Sequence, residues 1–494
     1  MTKIRTRFTN FYRELSSRTV FIVFFIVSFL VRLPFFFRDY IDRDESTFIL
    51  MGQSWVDGHL PYTELWDLKP PLTFLFFAAI ISVFGKSLIA IRLAGTFIVA
   101  LTAFFTYKIG KLASTQKVAF RVGLACVLLQ SLFGSIQGVM SEHICMFFFM
   151  PGLYLFVRYK KLHWCLLSGL FMGLAIMTKL NIAYAVLFLA CYGFYNFYQR
   201  REIMEGLKRI LIFGAGCIAI LFLTFLPYTL QGESVVWWKS VVIAPLQYAE
   251  AGGNSPLKMV PPFLIIAFFL YLCWKKKWLD FRSPIIGALL AATLGVLLSF
   301  IQVGRINSHY LIQLYPILII LVAIAFSSIR FTKKLDLSPY LFILMLIAPI
   351  ESYREYYAIA KNKLERGTFY NGEGFTVPQY ILEHKLETEN IFFLGYHIGY
   401  WILDKKPPTK VVTHPSNLQR EELFSSFENP RETGIDELKY IMENVRPQTV
   451  IVRKNRLVFN KRYIELNTYI DNHLARNYTL HKTVDQAEIY QRSK

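Results

Sequence analysis

From about residue 19 to residue 350 the chain alternates between long apolar runs and short polar turns, and beyond 350 the long runs stop. A helix that crosses a membrane takes about 20 mostly apolar residues. The pattern predicts eleven crossings, near 19–37, 88–108, 118–137, 143–157, 163–178, 181–198, 210–229, 260–274, 284–302, 311–327 and 338–350. The first run is long and lacks a small-residue cleavage site, so it reads as a retained helix. A further run, 72–84, is short and follows Pro70 and Pro71. A crossing there would place every later basic turn on the opposite face, so a juxtamembrane helix is expected instead, inside a first outer loop spanning 38–87. The chain then divides into a membrane part, 1–350, and an outer domain, 351–494. No inverted repeat of the transporter kind is evident.

The tail has the mixed pattern of a small α/β domain. Residues 390–395 and 449–454 read as short buried strands, 410–415 as another, and 487–492 as the last. Leu438, Ile441, Met442 and Val445 recur at helical spacing. No nucleophile or metal constellation stands out, which suits a packing or acceptor-positioning domain.

Composition agrees with a polytopic α-helical membrane protein: 54% of the 494 residues are hydrophobic and only 18% charged. The net charge of +20 does not point to nucleic acid. Residues 351–494 carry 21 Lys and Arg against 19 Asp and Glu, so nearly all the excess lies in 1–350. There it gathers in the turns, as the positive-inside rule requires of cytoplasmic loops. Lys3, Arg5, Arg7, Arg13 and Arg18 put the N-terminus inside and the tail outside. The six cysteines lie in or beside apolar runs with no CxxC spacing, so small apolar packing is their expected role.

Ionisable residues collect at the expected outer junctions. Asp44 and Glu45 follow the first span, and the stretch after them has Phe48, Met51 and Trp55 on one side of an amphipathic helix, expected to lie flat at the interface. Trp66, Asp67 and Lys69 precede the Pro70–Pro71 pair, which holds Lys69 extended. Glu142 and His143 stand between the third and fourth spans, Lys179 between the fifth and sixth, and Arg305, His309 and Tyr310 between the ninth and tenth. Each alone is more often an interfacial anchor; together they place acids and cations on one membrane face. A sugar carried on a lipid phosphate would use such a set. Lys69, Lys179 and Arg305 would bind the phosphate and stabilise its charge on departure. A carboxylate would deprotonate the acceptor. Asp44, Lys69 and Glu142 are expected to converge on one cavity.

In order and topology these motifs resemble the GT-C fold glycosyltransferases that use polyprenyl-phosphate sugars (family 39, with the lipid A aminoarabinose transferases and protein O-mannosyltransferases). The resemblance covers most of residues 15–350. It implies a transferase of the bacterial cytoplasmic membrane that moves a sugar from undecaprenyl phosphate to a glycan, lipid or protein acceptor, with inversion. Asp44 would be the base or acceptor-binding group, Glu45 its partner, Glu142 the second catalytic acid and Lys69 the lysine on the lipid phosphate. His143, His309, Tyr310, Asp67 and Trp66 would contact substrate or acceptor. The aminoarabinose transferases have a metal-binding acid directly before Lys-Pro-Pro, where this chain has Leu68. No cofactor is assigned, and a divalent cation stays open, with His309 as a ligand candidate. The alternative reading, a lipid-linked-sugar flippase, calls for charges near the membrane midplane and paired broken helices.

Overall fold

A computed structural model describes residues 15–39, 42–251, 260–304, 307–329 and 338–493. A helix stands at each of the eleven expected spans. Among the described residues, five helical segments are long and apolar enough to cross a membrane by length and composition: Ser17–Phe37, Leu88–Ala113, Leu180–Gln199, Ile203–Leu230 and Pro284–Gln302. Others, such as Leu162–Ile176 and Tyr315–Ser328, are apolar but shorter. The chain forms two compact units.

The first unit comprises Met1–Phe35, Arg92–Leu226 and Gly252–Arg354. Its helices carry apolar residues on nearly every side, as they must where lipid rather than water surrounds them. Lipid tails are as apolar as leucine, so helices associate here through close packing rather than hydrophobic exclusion. Gly169 and Gly173 allow this on the Leu162–Ile176 helix: a Cβ at Gly169 would lie 2.0 Å from the Phe213 carbonyl oxygen of the Ile203–Leu230 helix. Where the chain leaves helical geometry, buried Arg32 supplies the missing donors. Its guanidinium donates to the carbonyls of Gln130 (3.2 Å), Ile136 (3.1 Å) and Gly138 (2.7 Å). In hydrocarbon an unmet carbonyl costs several kcal/mol, on the order of an unmade hydrogen bond.

The second unit gathers three distant pieces: Phe36–Ile91, Pro227–Ala251 and Glu355–Lys494. The first outer loop and the tail are thus one body. The Asn371 N–H donates to the Phe37 carbonyl at 2.8 Å, and Asp39 accepts the Gly374 N–H. The Arg43–Val56 helix is buried on most of its circumference, from Glu45 to Gly52 and at Ser54. It is therefore a packed core element rather than one lying flat on a surface. Gly52 lets it close on the Pro71–Phe84 helix, and Phe48 meets Phe74 and Phe77 with ring centroids 6.2 and 5.8 Å apart. At 14 residues the Pro71–Phe84 helix is about 21 Å long, short of the roughly 30 Å hydrocarbon core.

The tail builds a four-stranded sheet in the order β1-β2-β4-β3. Strands β1 (Phe392–Phe393), β2 (Thr449–Arg453) and β4 (Ala487–Arg492) fall where the pattern places them. The stretch 410–415 does not form a strand. It holds the 3₁₀ turns Val411–Thr413 and Pro415–Gln419, because Pro415 cannot donate to a ladder and is suited to a helical first turn. Strand β3 (Tyr478–Val484) lacks an apolar signature because most of it faces solvent as an edge strand.

Candidate active site

In the second unit, the first outer loop and the tail meet at Asp44. Asp42, in extended backbone, caps the Arg43–Val56 helix by accepting the Asp44 N–H at 2.9 Å. Asp44 and Glu45 occupy the first turn, where the helix dipole favours negative charge. Lys69 Nζ donates to Asp44 Oδ2 at 3.3 Å, and His414 Nε2 lies 3.2 Å from Oδ1. The His414 tautomer follows from its other nitrogen: Nδ1 accepts the Ser416 N–H at 3.2 Å, so Nε2 carries the proton and donates to Asp44. The Asp44 and Lys69 side chains are 19% and 18% exposed, partly open to a ligand.

Both partners are held from behind. Lys69 precedes Pro70 and Pro71, and its carbonyl accepts the Tyr62 hydroxyl at 2.5 Å. Tyr62 has left-handed backbone (φ 74°) and stacks on Tyr228, whose own hydroxyl donates to the Pro61 carbonyl. Burial, then the Tyr228 and Asp67 side chains, push the Tyr62 hydroxyl well above its ordinary pKa, so it stays a donor. On the other side, the Trp66 N–H donates to Thr413 Oγ1 and the Thr47 hydroxyl faces the Thr413 carbonyl. Thr47 also meets buried His397 Nε2 at 3.0 Å. Burial, with His414 and Arg43 nearby, holds the His397 pKa well below its ordinary value, so this imidazole is neutral.

The remaining expected residues of this loop are inside. Trp66 is 0% exposed, packed on Phe427 (4.6 Å between centroids) with its indole N–H on Ser240, so it anchors the loop and offers no face to a sugar. Glu45 and Asp67 are buried. Asp67 Oδ2 has no hydrogen-bond partner among the described residues.

In the first unit a second cluster joins four of the expected residues. Glu142, in the first turn of the Ser141–Arg158 helix, is fully buried and pairs through Oε1 with Lys179 Nζ at 2.6 Å. The Ser141 hydroxyl donates to Oε2 at 3.1 Å, and His309 Nε2 stands 4.0 Å from Oε1. The Lys179 ammonium lies 4.7 Å from the Tyr310 ring centroid. Asn181 and Gln313 fix the surrounding turns by exchanging two amide hydrogen bonds, 2.9 and 3.0 Å. Arg305 lies outside the described residues. His143 is corrected: it is buried, its Nδ1 accepts the Met140 N–H at 3.1 Å and its Nε2 bonds the Gln130 carbonyl at 2.9 Å. One nitrogen serves the start of its own helix and the other the end of the preceding Gln116–Leu129 helix, leaving none for an acceptor.

Among the described residues no three His, Cys, Asp or Glu side chains are grouped to hold a metal ion. Asp44 itself is engaged by one imidazole, His414, and one lysine, Lys69.

Sequence reasoning missed His414, His397, Thr47, Asn181 and Gln313. His414 sits 370 positions from Asp44, and no local pattern announces such a partner. Asn181 and Gln313 carried a usable signal, an amide next to an apolar run, since buried amides need partners.

Residues 68–230, about a third of the chain, match the family model of dolichyl-phosphate-mannose-protein mannosyltransferases. No curated protein matches the chain by sequence. Among solved structures, ArnT from Cupriavidus metallidurans in the apo state aligns over 96% of this chain and 98% of its own, with a TM-score of 0.60 and 13% identity. The chain has the GT-C glycosyltransferase fold. ArnT from the same organism bound to undecaprenyl phosphate aligns over 95% of this chain and 97% of its own, with a TM-score of 0.58 and 14% identity. The GT-C likeness therefore takes in the tail as well as the membrane helices.

Proposed function

We propose that this GT-C protein transfers a sugar from a polyprenyl phosphate, of which undecaprenyl phosphate is the bacterial form, to a glycan, lipid or protein acceptor at the outer face of the cytoplasmic membrane. The observation that carries this reading is the partly exposed Asp44 carboxylate, gripped on one oxygen by His414 and on the other by Lys69. The matches to the mannosyltransferase family model and to ArnT bound to undecaprenyl phosphate support the lipid-phosphate donor.

The two oxygens of Asp44 have separate duties. His414 holds Oδ1 and so fixes the plane of the carboxylate. Lys69 rests on Oδ2 until a donor phosphate arrives, then turns to the phosphate, whose charge grows as the glycosidic bond breaks. Oδ2 then takes the proton of the acceptor hydroxyl or amine. The acceptor atom bonds to the anomeric carbon from the face opposite the departing phosphate, so configuration inverts. One base and one stabilised leaving group suffice, without the paired carboxylates of glycoside hydrolysis. Glu142 has no exposed surface and acts through the groups it touches, Lys179 and His309.

The test is mass spectrometry of envelope glycans from cells with the gene, without it, and with Asp44→Asn at matched protein levels. A glycan species that needs the gene and disappears with Asp44→Asn supports the reading. A species unaffected by Asp44→Asn removes Asp44 from catalysis, and no gene-dependent glycan removes the function.

A further inference from the structure

The same helices that carry the Glu142 cluster enclose a cavity at their other end. Glu142 and Leu155 are 13 residues apart on one helix, about 20 Å at 1.5 Å per residue. The cavity has a volume of about 280 Å³. Apolar side chains, Leu155, Phe156, Phe213 and Ala288 among them, form much of its wall, with Tyr192 and Asn196 beside them. Its rim is formed by the ends of two helices, Ser141–Arg158 and Ala183–Gln199, and the turns that follow them.

Those turns are strongly basic. Arg158, Lys160, Lys161, Arg200 and Arg201 stand there against one acid, Glu202. Lys160, Arg200, Arg209 and Glu202 line the opening itself. Arg209 is already committed: it pairs with Glu205 at 2.6 Å and lies 5.0 Å from the Phe197 ring centroid. Lys160 and Arg200 are exposed and have no side-chain partner among the described residues. With Arg209 taken by Glu205, Lys160 and Arg200 outnumber the one remaining acid, Glu202, and a net cationic opening over an apolar slot matches the two ends of one molecule, an anionic head joined to a hydrocarbon chain.

We propose that this cavity binds an anionic glycerophospholipid, with the headgroup phosphate at Lys160 and Arg200 and the first part of one acyl chain against the Phe156–Phe213 ring pair. The volume lies just under the usual range of small-molecule pockets, about 300–1,000 Å³. It therefore admits the head and the upper chain, and the rest of the lipid stays in the surrounding bilayer. A soluble anion would gain nothing from the apolar walls, whereas a lipid supplies both halves of the match. The site is separate from the transfer chemistry and does not depend on it.

The test is native mass spectrometry of the detergent-solubilised full chain titrated with dioleoyl phosphatidylglycerol, dioleoyl phosphatidylcholine or inorganic phosphate. The wild type is expected to bind phosphatidylglycerol at least tenfold more tightly than phosphatidylcholine. The double variant K160Q/R200Q is expected to lose at least fivefold of that affinity, with an unchanged lipid-free Tm because both side chains are exposed. Equal binding of the two lipids, or a double variant that binds phosphatidylglycerol as the wild type does, overturns the proposal. So does inorganic phosphate binding as tightly as the anionic lipid, which would make the site one for a soluble anion.

Discussion

At the scale of single residues, the proposed mechanism makes Asp44 the base, His414 its orienter and Lys69 the phosphate ligand, and each role has its own signature. Asp44→Asn keeps the shape and removes the base, so transfer should fall about 10²–10⁴-fold with the donor still bound, measured as single-turnover transfer beside lipid retention. His414→Ala removes a hydrogen bond to a charged group, worth about 1.5–3 kcal/mol. That corresponds to a loss of transfer on the order of 10–100-fold. His414→Gln places an amide N–H near the position of Nε2 and should restore most of the rate; if Gln is as poor as Ala, His414 does more than orient. The Glu142–Lys179 pair behaves differently because it is buried. Glu142→Gln strands an ammonium group and should cost roughly 3–5 kcal/mol of stability. Adding Lys179→Met should return much of it, visible as a recovered Tm, although transfer stays low.

At the scale of elements, the membrane helices depend on where small residues lie. Gly169→Ala drives a methyl into the Phe213 carbonyl of the neighbouring helix and should cost about 1–3 kcal/mol by overpacking. Gly214, on that neighbouring helix, meets nothing within 4 Å of an added Cβ, so Gly214→Ala is the matched control and should hold or raise the Tm, alanine being the better helix former. The positions of these helices were legible in the sequence because hydropathy is a local property. The paired ions were half legible. Glu142, Lys179, His309 and Tyr310 were visible as polar residues at apolar junctions, and the fold does join them. The same signal could not separate them from His143, a polar residue at the same junction that serves the backbone. Trp66 was misread for a related reason: an aromatic ring in a polar loop has one appearance in sequence whether it stacks on a ligand or plugs a core. His414 had no local signal, because its importance comes from a contact made only after the first loop and the tail assemble.

At the scale of the whole molecule, that assembly makes the second unit a body built from both ends of the chain, and its stability should reflect this. His397 belongs to the tail and meets Thr47 of the first loop in a fully buried position. Its folded pKa is depressed, so below about 6.5 the unfolded chain takes up a proton that the folded chain does not. Stability is then complete above that pH and falls as pH drops, by up to about 1.4 kcal/mol per pH unit. His397→Gln, still able to donate to Thr47, should flatten this slope in unfolding experiments between pH 5 and 7. The stronger test removes the tail altogether. A chain ending after Arg354 keeps the membrane helices but deprives Trp66 of Thr413 and Phe427, and Asp39 of Gly374. The loop around Tyr62–Lys69 should then open, and chymotrypsin should cut after Trp66, which the complete chain buries. Protection of Trp66 in the shortened chain would mean that the first loop holds itself together. The tail would then be needed only to deliver His414, and transfer by the shortened chain should equal that of His414→Ala in the complete one.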